Sequence, residues 1–288
     1  DSVIAHHTPM FNKSGDVWRQ QNHVPLFIEP NSMKNSVIGS QLGQVVGVRY
    51  PLERARTRWP QCSGAIMYKL NDPYPAASWS TVDWYGVPKA ANYFVADAFA
   101  PIAVIPRLDK SEFGGEEIEI PVFLCDDTVS EKVKQANFRA YNSKAELVKA
   151  VEFDVKDNEK VELLGKVTLE KEITKSVPLF IVTEAVSENG IISRNWYFLN
   201  YETKRGCLFE MPETTLCTTK QGNTVKIKNI GSYPAIAVQF GCEAVSDTFL
   251  PDDNFIWIDC GEEIEIYAPD WKGVDSVFAW NVKKIIIK

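Results

Sequence analysis

The hydrophobic pattern at the start of the chain changes from helix to strand and back to helix. Apolar residues recur at helical spacing over residues 36–59, and Pro60 ends this segment. Pro51 lies inside it and is expected to kink or interrupt the helix. The short apolar run over residues 62–70, which ends at an Asn-Asp-Pro turn, is typical of a buried strand, and residues 88–99 predict a second helix. This order is typical of parallel α/β structure, in which strands are buried on both faces.

Beyond Pro101 the pattern becomes an alternation of apolar and polar residues with a period of two. Glycine, proline and Asn-Gly turns separate the alternating segments, which predicts antiparallel β-sandwiches. The polar stretch 202–206 is predicted to be a boundary between two of them. Residues 1–35 hold all three histidines, lack periodicity and are predicted to form an irregular loop. The predicted strands are residues 117–124, 135–141, 148–155, 161–169, 179–186, 196–201, 224–230, 235–240, 255–258, 262–267 and 276–280.

Composition narrows the classes of partner. A chain of 288 residues is long enough for two or three domains, and 45% hydrophobic residues can form large cores. The net charge of -7 argues against nucleic acid, whose binding needs clustered Lys and Arg. No apolar run approaches the roughly 20 residues that cross a bilayer, so we expect no membrane partner. The N-terminal residues lack a signal-peptide pattern, so the expected location is the cytoplasm unless a targeting segment lies upstream.

The cysteines and histidines do not predict a metal site. Six cysteines are scattered without a C-x-x-C spacing and without a cluster of histidines beside them. They are predicted to be buried free thiols. We therefore expect no metal and no other cofactor.

Polar and aromatic residues follow the predicted strand directly. Asn71 and Asp72 come at its end, and Trp79 lies in the proline-rich loop beyond. In a barrel of parallel strands, the loops after the carboxyl ends of the strands form the active-site face. Asn and Asp offer hydrogen bonds to hydroxyl groups, and an indole offers a flat apolar face to a sugar ring. A strand cap and a core tryptophan would explain the same residues without any ligand.

The segment 64–89 resembles a known family. Its Gly-Ala, Leu-Asn-Asp and Ser-Trp-Ser groups, at residues 64–65, 70–72 and 78–80, are similar to the last barrel strand and following loop of family 2 β-mannosidases. Lys69 and Tyr74 depart from the family pattern, as does Pro51. Less specific similarities lie at His6-His7-Thr8, Ser40-Gln41 to Gln44, Glu53, Arg56 to Trp59-Pro60, Lys89, Tyr93, Phe99-Ala100-Pro101, Asn229 to Pro234, Asp252 to Phe255 and Gly261 to Glu263.

The resemblance implies a multidomain fold and a parent enzyme. Residues 1–103 would be the C-terminal part of a (β/α)8 TIM barrel, followed by two all-β immunoglobulin-like sandwiches over residues 104–203 and 204–288. The parent would be a retaining, exo-acting β-glycosidase, a β-mannosidase type of hydrolase acting on terminal β-linked sugars of an oligosaccharide or β-glycoside. Asn71, Asp72 and Trp79 would bind the substrate. Self-association into a homo-oligomer is left open.

The same resemblance predicts that the catalytic glutamates are absent from this chain. Retaining hydrolysis uses two carboxyl groups about 5–5.5 Å apart. In the family one lies in an Asn-Glu motif and the other in a motif like Ser-Glu-Phe-Gly, both upstream of the matching region. The only Asn-Glu pair, Asn158-Glu159, falls in a charged turn of the first predicted sandwich. Ser111-Glu112-Phe113-Gly114 reproduces the second motif after the last barrel strand, so we predict a coincidence in which Glu112 is a solvated turn carboxylate. The chain alone is expected to be inactive.

A competing interpretation is a non-catalytic module whose sandwiches bind carbohydrate or another protein while residues 1–100 cap them. Four tryptophans, at positions 196, 257, 271 and 280, are predicted to be core residues and do not separate the two interpretations. The encoded polypeptide would separate them if it extends several hundred residues upstream and carries the Asn-Glu and Ser-Glu-Phe-Gly motifs.

Overall fold

A computed structural model describes residues 19–128, 133–156, 159–240, 251–267 and 277–287. His6-His7-Thr8, Asn158, Cys242 and Trp271 lie outside these ranges. The first part of the described chain is helical, with α1 at Arg19–Phe27, α2 at Met33–Arg56 and α3 at Ala90–Ala98.

Helix α1 corrects the prediction of an irregular loop over residues 1–35. It contains Pro25 and has little periodicity, but it packs against α2 at two glycines. A Cβ atom on Gly39 would lie 2.8 Å from Val24 Cγ1, and one on Gly43 would lie 2.9 Å from His23 Cβ. The two helices therefore approach more closely than other residues would allow, and tertiary packing fixes a helix that its own sequence does not announce.

Pro51 was predicted to kink or interrupt helix α2, and the interruption is wrong because the helix is continuous through it. Ser32 caps its start by accepting a hydrogen bond from Asn35 N at 3.1 Å. Pro51 has no backbone N–H, so the carbonyl of Gly47 lacks the helical hydrogen bond that it would otherwise accept. Because Gly47 and Pro51 are both exposed, that carbonyl faces solvent and the helix continues.

Within the described ranges, seven strands form the first pair of sheets. A three-stranded sheet has the order β1-β2-β5, and a four-stranded sheet has the order β4-β3-β6-β7, with antiparallel pairing throughout both. The predicted strands 135–141 and 161–169 are confirmed to the residue, whereas β1 was not predicted. The strands are β1 Ile102–Pro106, β2 Ile118–Asp126, β3 Gln135–Tyr141, β4 Leu147–Asp154, β5 Val161–Leu169, β6 Leu179–Ser187 and β7 Gly190–Leu199.

Among the described residues, seven further strands form the second pair of sheets. A short helix, α4 at Lys171–Thr174, lies between β5 and β6, and a 3-10 turn at Cys207–Phe209 precedes the second pair. Their orders are β12-β9-β8-β14 and β11-β10-β13, and β14 runs parallel to β8. Here β8 and β14 were not predicted. The strands are β8 Thr214–Gln221, β9 Thr224–Asn229, β10 Ala235–Phe240, β11 Ile256–Ile258, β12 Glu263–Tyr267, β13 Val277–Phe278 and β14 Val282–Ile287.

The predicted buried strand over residues 62–70 is not present. The segment belongs to no strand, and Ile66, Tyr68 and Leu70 are 96%, 70% and 66% exposed. A strand buried on both faces needs a neighbour on each side to receive its hydrogen bonds. Among the described residues its end contacts only one neighbouring stretch, through the hydrogen bonds of Thr81 N and Val82 N with Lys69 O and Leu70 O and the isolated bridge between Asn71 and Val82. A barrel strand is therefore not seen in this part of the structure.

One apolar cluster joins the helices to both pairs of sheets. Phe27 and Phe94 come from the helices, Trp196 comes from β7, and Trp257 comes from β11. The Phe94 and Trp196 rings meet edge to face at 5.4 Å, and the Trp196 and Trp257 centroids are 6.3 Å apart. The prediction that Trp196 and Trp257 are core residues is confirmed, and half-buried Trp280 packs on the same cluster.

Candidate functional site

The loop that carries the predicted site folds back on its own start. Val82 N donates to Leu70 O at 2.7 Å, and Thr81 N donates to Lys69 O at 3.2 Å. Lys89 N then donates to Thr81 O at 2.8 Å, just before α3 begins. These bonds bring residues 69–72 beside residues 78–82, so Asn71, Asp72 and Trp79 lie on one compact loop.

Asp72 lies at the centre of this loop and is only 1% exposed. Ser78 Oγ donates to its Oδ1, and Ser80 Oγ donates to its Oδ2 at 2.6 Å. Lys69 Nζ lies 3.1 Å from Oδ1, and Lys89 Nζ lies 3.6 Å from Oδ2. Burial alone would raise the pKa of Asp72, but these hydrogen bonds and positive charges outweigh it and hold the pKa below its ordinary value.

The Ser-Trp-Ser sequence explains why Trp79 faces outward. Ser78 and Ser80 both donate their hydroxyl groups to Asp72, and the chain bends at Trp79 between them, with Ser80 N donating to Ser78 Oγ at 3.1 Å, so the indole does not share their buried position. Trp79 is 39% exposed. Asn71 is also exposed, and its Nδ2 makes only a long contact of 3.4 Å with Asp72 O. Asn71 and Trp79 are thus accessible, whereas both oxygens of Asp72 are already hydrogen-bonded within the loop.

The ammonium groups of Lys69 and Lys89 lie on the buried side of the loop, next to the carboxylate of Asp72. Burial lowers the pKa of Lys89, although the carboxylate of Asp72 opposes this shift. Lys89 Nζ also donates to Ser80 Oγ at 2.9 Å and to Ser78 O at 3.1 Å. Lys69, which departs from the family pattern, is therefore part of the cluster that shapes the loop.

Two further aromatic residues, for which the sequence predicted no role, lie at the tip of the loop. Asp83 Oδ1 accepts hydrogen bonds from Tyr85 N at 2.8 Å and Val87 N at 2.9 Å. Gly86 has a φ of 82°, a conformation that other residues rarely adopt. Trp84 and Tyr85 are half exposed on this rigid turn. The Asp followed three residues later by Gly is the sequence signal for such a turn.

Glu112, in the sequence that imitates the nucleophile motif, lies elsewhere and is more firmly held than predicted. Its carboxylate accepts hydrogen bonds from Glu202 N at 2.9 Å and Thr203 Oγ1 at 3.0 Å. Burial raises the pKa of Glu112, and those hydrogen bonds oppose the rise. The side chain anchors the stretch between the two pairs of sheets, so it is a half-buried structural carboxylate and not a solvated one.

The described residues limit the chemistry of the site. No group of three or more His, Cys, Asp or Glu within them could hold a metal ion. No helix in the same ranges is long and apolar enough to cross a membrane. The loop offers the exposed indole face of Trp79 and the exposed amide of Asn71, which suit binding of a polar ligand with an apolar face.

Known proteins are similar to this chain in part of its sequence and in its fold. No family model matches the chain. The chain nevertheless resembles family 2 glycoside hydrolases of the β-mannosidase type, in their C-terminal parts, which confirms the resemblance predicted from the sequence.

Similarity in sequence is local. β-Mannosidase B of Thermothelomyces thermophilus is 34% identical over 80 residues, which make up 26% of this chain and 9% of that protein. β-Mannosidase B of Aspergillus oryzae is 38% identical over 60 residues, or 21% of this chain and 7% of that protein. The chain thus matches a small share of the length of these relatives.

Similarity in structure extends over almost the whole chain. The β-D-mannosidase of Dictyoglomus thermophilum matches with a TM-score of 0.72 and 19% identity, covering 98% of this chain and 34% of that protein. The exo-chitosanase of Amycolatopsis orientalis matches with a TM-score of 0.70 and 17% identity, covering 96% of this chain and 37% of that protein. At these identities the likeness shows the fold.

Proposed function

We propose that this chain is the C-terminal part of a retaining, exo-acting β-glycosidase that removes terminal β-linked sugars, with β-mannosides as the substrate class. The local identity to β-mannosidase B supports the substrate class. The observation that carries the proposal is the loop around Asp72, which presents Trp79 and Asn71 from a buried polar cluster. An accessible indole beside hydrogen-bonding groups is the combination that a sugar ring requires.

In this proposal residues 1–103 are the end of the catalytic (β/α)8 barrel. The run that contains Ile66, Tyr68 and Leu70 supports it, because exposed apolar side chains at alternate positions favour burial against further strands. Residues 104–203 and 204–288 are then two immunoglobulin-like sandwiches. The strand orders β1-β2-β5 and β4-β3-β6-β7, which face each other across one core, suit the first of them.

The three predicted site residues take different parts. Trp79 stacks on the C–H face of the sugar, and Asn71 hydrogen-bonds its hydroxyl groups. Asp72 lines the same side of the pocket and acts through Lys69, Ser78 and Ser80, which occupy its oxygens. The two catalytic glutamates belong to other parts of the parent enzyme, so the chain alone has no glycosidase activity.

The alternative of a non-catalytic binding module has less support. In that interpretation the helices only cap the sandwiches and need not be continuous with their core. Phe27 and Phe94, however, are fully buried in the same apolar cluster as Trp196 and Trp257. The helical part is therefore as much a part of the packed structure as the sheets are.

The experiment compares the complete gene product with the 288-residue chain on aryl β-mannoside, β-galactoside and β-glucoside. We expect turnover only by the complete product, fastest on the β-mannoside. In that product Trp79→Ala should lower kcat/KM about tenfold or more with little change in Tm, because the side chain is 39% exposed and its removal opens no large cavity in a core.

The matched control is Tyr267→Ala, which removes an aromatic side chain that is 53% exposed at the end of β12 and should leave kcat/KM unchanged. A large loss of stability with normal kinetics in Trp79→Ala would show that this residue is structural. Turnover by the chain alone that disappears in Glu112→Gln would refute both the assignment of Glu112 and the absence of catalytic residues.

A further inference from the structure

Two glutamines on helix α2 contact the loop that carries Trp79. Gln44 Nε2 donates to Trp79 O at 2.6 Å and to Ser80 O at 3.1 Å. Gln41 Oε1 accepts a hydrogen bond from Ala90 N, the first residue of α3, at 3.0 Å. Residues three apart on a helix share one face, so a single face of α2 reaches both ends of segment 79–90.

The two contacts use opposite chemistry. Gln44 serves as a donor to two carbonyl groups that no described strand satisfies, and Gln41 serves as an acceptor for an amide at a helix start. Such an amide lacks a partner within its own helix. A lysine side chain can only donate hydrogen bonds, and an ionised glutamate can only accept them. Lysine can therefore replace Gln44 but not Gln41, and glutamate can replace Gln41 but not Gln44.

The other half of α2 is fixed to the first pair of sheets. Arg49 Nη1 donates to Trp196 O at 2.7 Å, and Arg49 Nη2 donates to Asn195 Oδ1 at 2.9 Å. Glu53 Oε1 accepts a hydrogen bond from Tyr197 OH at 3.0 Å. These buried contacts with β7 leave the helix little freedom to slide or rotate.

From this arrangement we infer that Gln41 and Gln44 are positioning residues for Trp79, and that the first pair of sheets sets their place through Arg49 and Glu53. Helix α2 is the rigid connection between β7 and the loop. The importance of that position for sugar binding rests on the proposed function, whereas the positioning itself does not.

The test uses four variants of the 288-residue chain: Gln44→Glu, Gln44→Lys, Gln41→Glu and Gln41→Lys. Gln, Glu and Lys have similar helix propensities, so α2 itself should be equally stable in all four. Glu at position 44 loses the donors, and Lys at position 41 loses the acceptor. Lys at 44 and Glu at 41 keep the required chemistry, and Glu at 41 also lies near the positive end of α3.

The measurement is hydrogen exchange of the Thr81 and Val82 amides, which bond to Lys69 O and Leu70 O within the loop. We expect exchange about tenfold faster in Gln44→Glu and Gln41→Lys, and close to the unchanged chain in the other two. The amide of Phe138, in the core of the first pair of sheets, serves as the internal reference and should not change.

Equal effects of Glu and Lys at each position, or no effect of any variant, would overturn the inference, whatever the kinetics. The same variants in the complete gene product should follow the exchange order in kcat/KM for the β-mannoside, with the loss mainly in KM. If the exchange order appears and the kinetic order does not, the positioning role stands and the proposed role of Trp79 in sugar binding fails.

Discussion

Arg49 is the residue whose removal should most disturb the connection between helix α2 and the sheets. Its guanidinium is almost fully buried and bonds Glu53 Oε1 at 2.7 Å. It also lies 4.1 Å from the centroid of the Tyr197 ring. The second oxygen of Glu53 is buried and has no partner among the described residues, so Arg49 supplies most of the compensation for that charge. Arg49→Ala therefore leaves a carboxylate buried beside a single tyrosine hydroxyl.

The expected cost follows from these contacts. Breaking a buried ion pair by removing one partner costs about 3–5 kcal/mol, because the remaining charge stays buried without compensation. A cation over an aromatic ring adds on the order of 1 kcal/mol. Relaxation and water entry reduce the sum, so we expect a loss of about 4 kcal/mol in the free energy of unfolding. At about 2–4 °C per kcal/mol this lowers Tm by roughly 8–16 °C.

Calorimetry and urea unfolding of the purified chain measure this loss. The control is Arg54→Ala on the same helix, whose ion pair with Asp109 is exposed and should be worth less than about 1 kcal/mol. A double variant, Arg49→Met with Glu53→Leu, should recover most of the stability because neither residue of the pair then leaves a buried charge. A loss below about 1 kcal/mol in Arg49→Ala, or a double variant less stable than the single one, would refute this account of the network.

Two further predictions concern charge and exposure. Burial raises the pKa of Asp97 from 3.8 to about 7, with Arg49 opposing the shift and Asp253 adding to it. The folded state therefore keeps a proton that the unfolded state releases, so stability falls as pH rises from about 4 to 7. Asp97→Asn should raise Tm at pH 8 and leave it unchanged near pH 4, and equal effects at both values would contradict this. Ile66→Ser should reduce self-association in sedimentation velocity without lowering Tm, because Ile66 is 96% exposed; a loss of Tm would show that the side chain is buried in solution.

The strands that the sequence predicts best are those with one face in a core and one in solvent. β3 has a regular alternation of buried and partly buried residues, and its bounds were predicted to the residue. β1 was missed because all five of its residues are buried, which removes the alternation. β14 was missed because its pairing with β8 is parallel and joins residues far apart in the chain. Its position depends on tertiary contacts, which the local pattern of apolar and polar residues does not indicate.

The candidate site shows the same division between local and distant information. The sequence places Asn71, Asp72 and Trp79 on one loop, and the loop is there. It does not reveal that Ser78 and Ser80 return to bury Asp72, or that Gln44, 35 positions before Trp79, holds its carbonyl group. The contacts of Asp72 join residues six and eight positions apart within the loop, whereas the contact of Gln44 depends on how α2 packs against the loop, which the residues near the site do not encode.

The apolar run over residues 62–70 explains why a correct reading of hydrophobicity can still give the wrong element. Apolar residues indicate that a segment requires cover, but they do not identify the surface that provides it. Helices α2 and α3 find their cover within the described chain, because Leu42 and Phe94 join the cluster around Trp196. Ile66 finds none there and stays exposed, although it belongs to the same α/β pattern. The helices and the run over residues 62–70 differ in the surfaces that lie beside them and not in their own apolar character. We therefore propose that strands of the proposed barrel pair with this run and bury it.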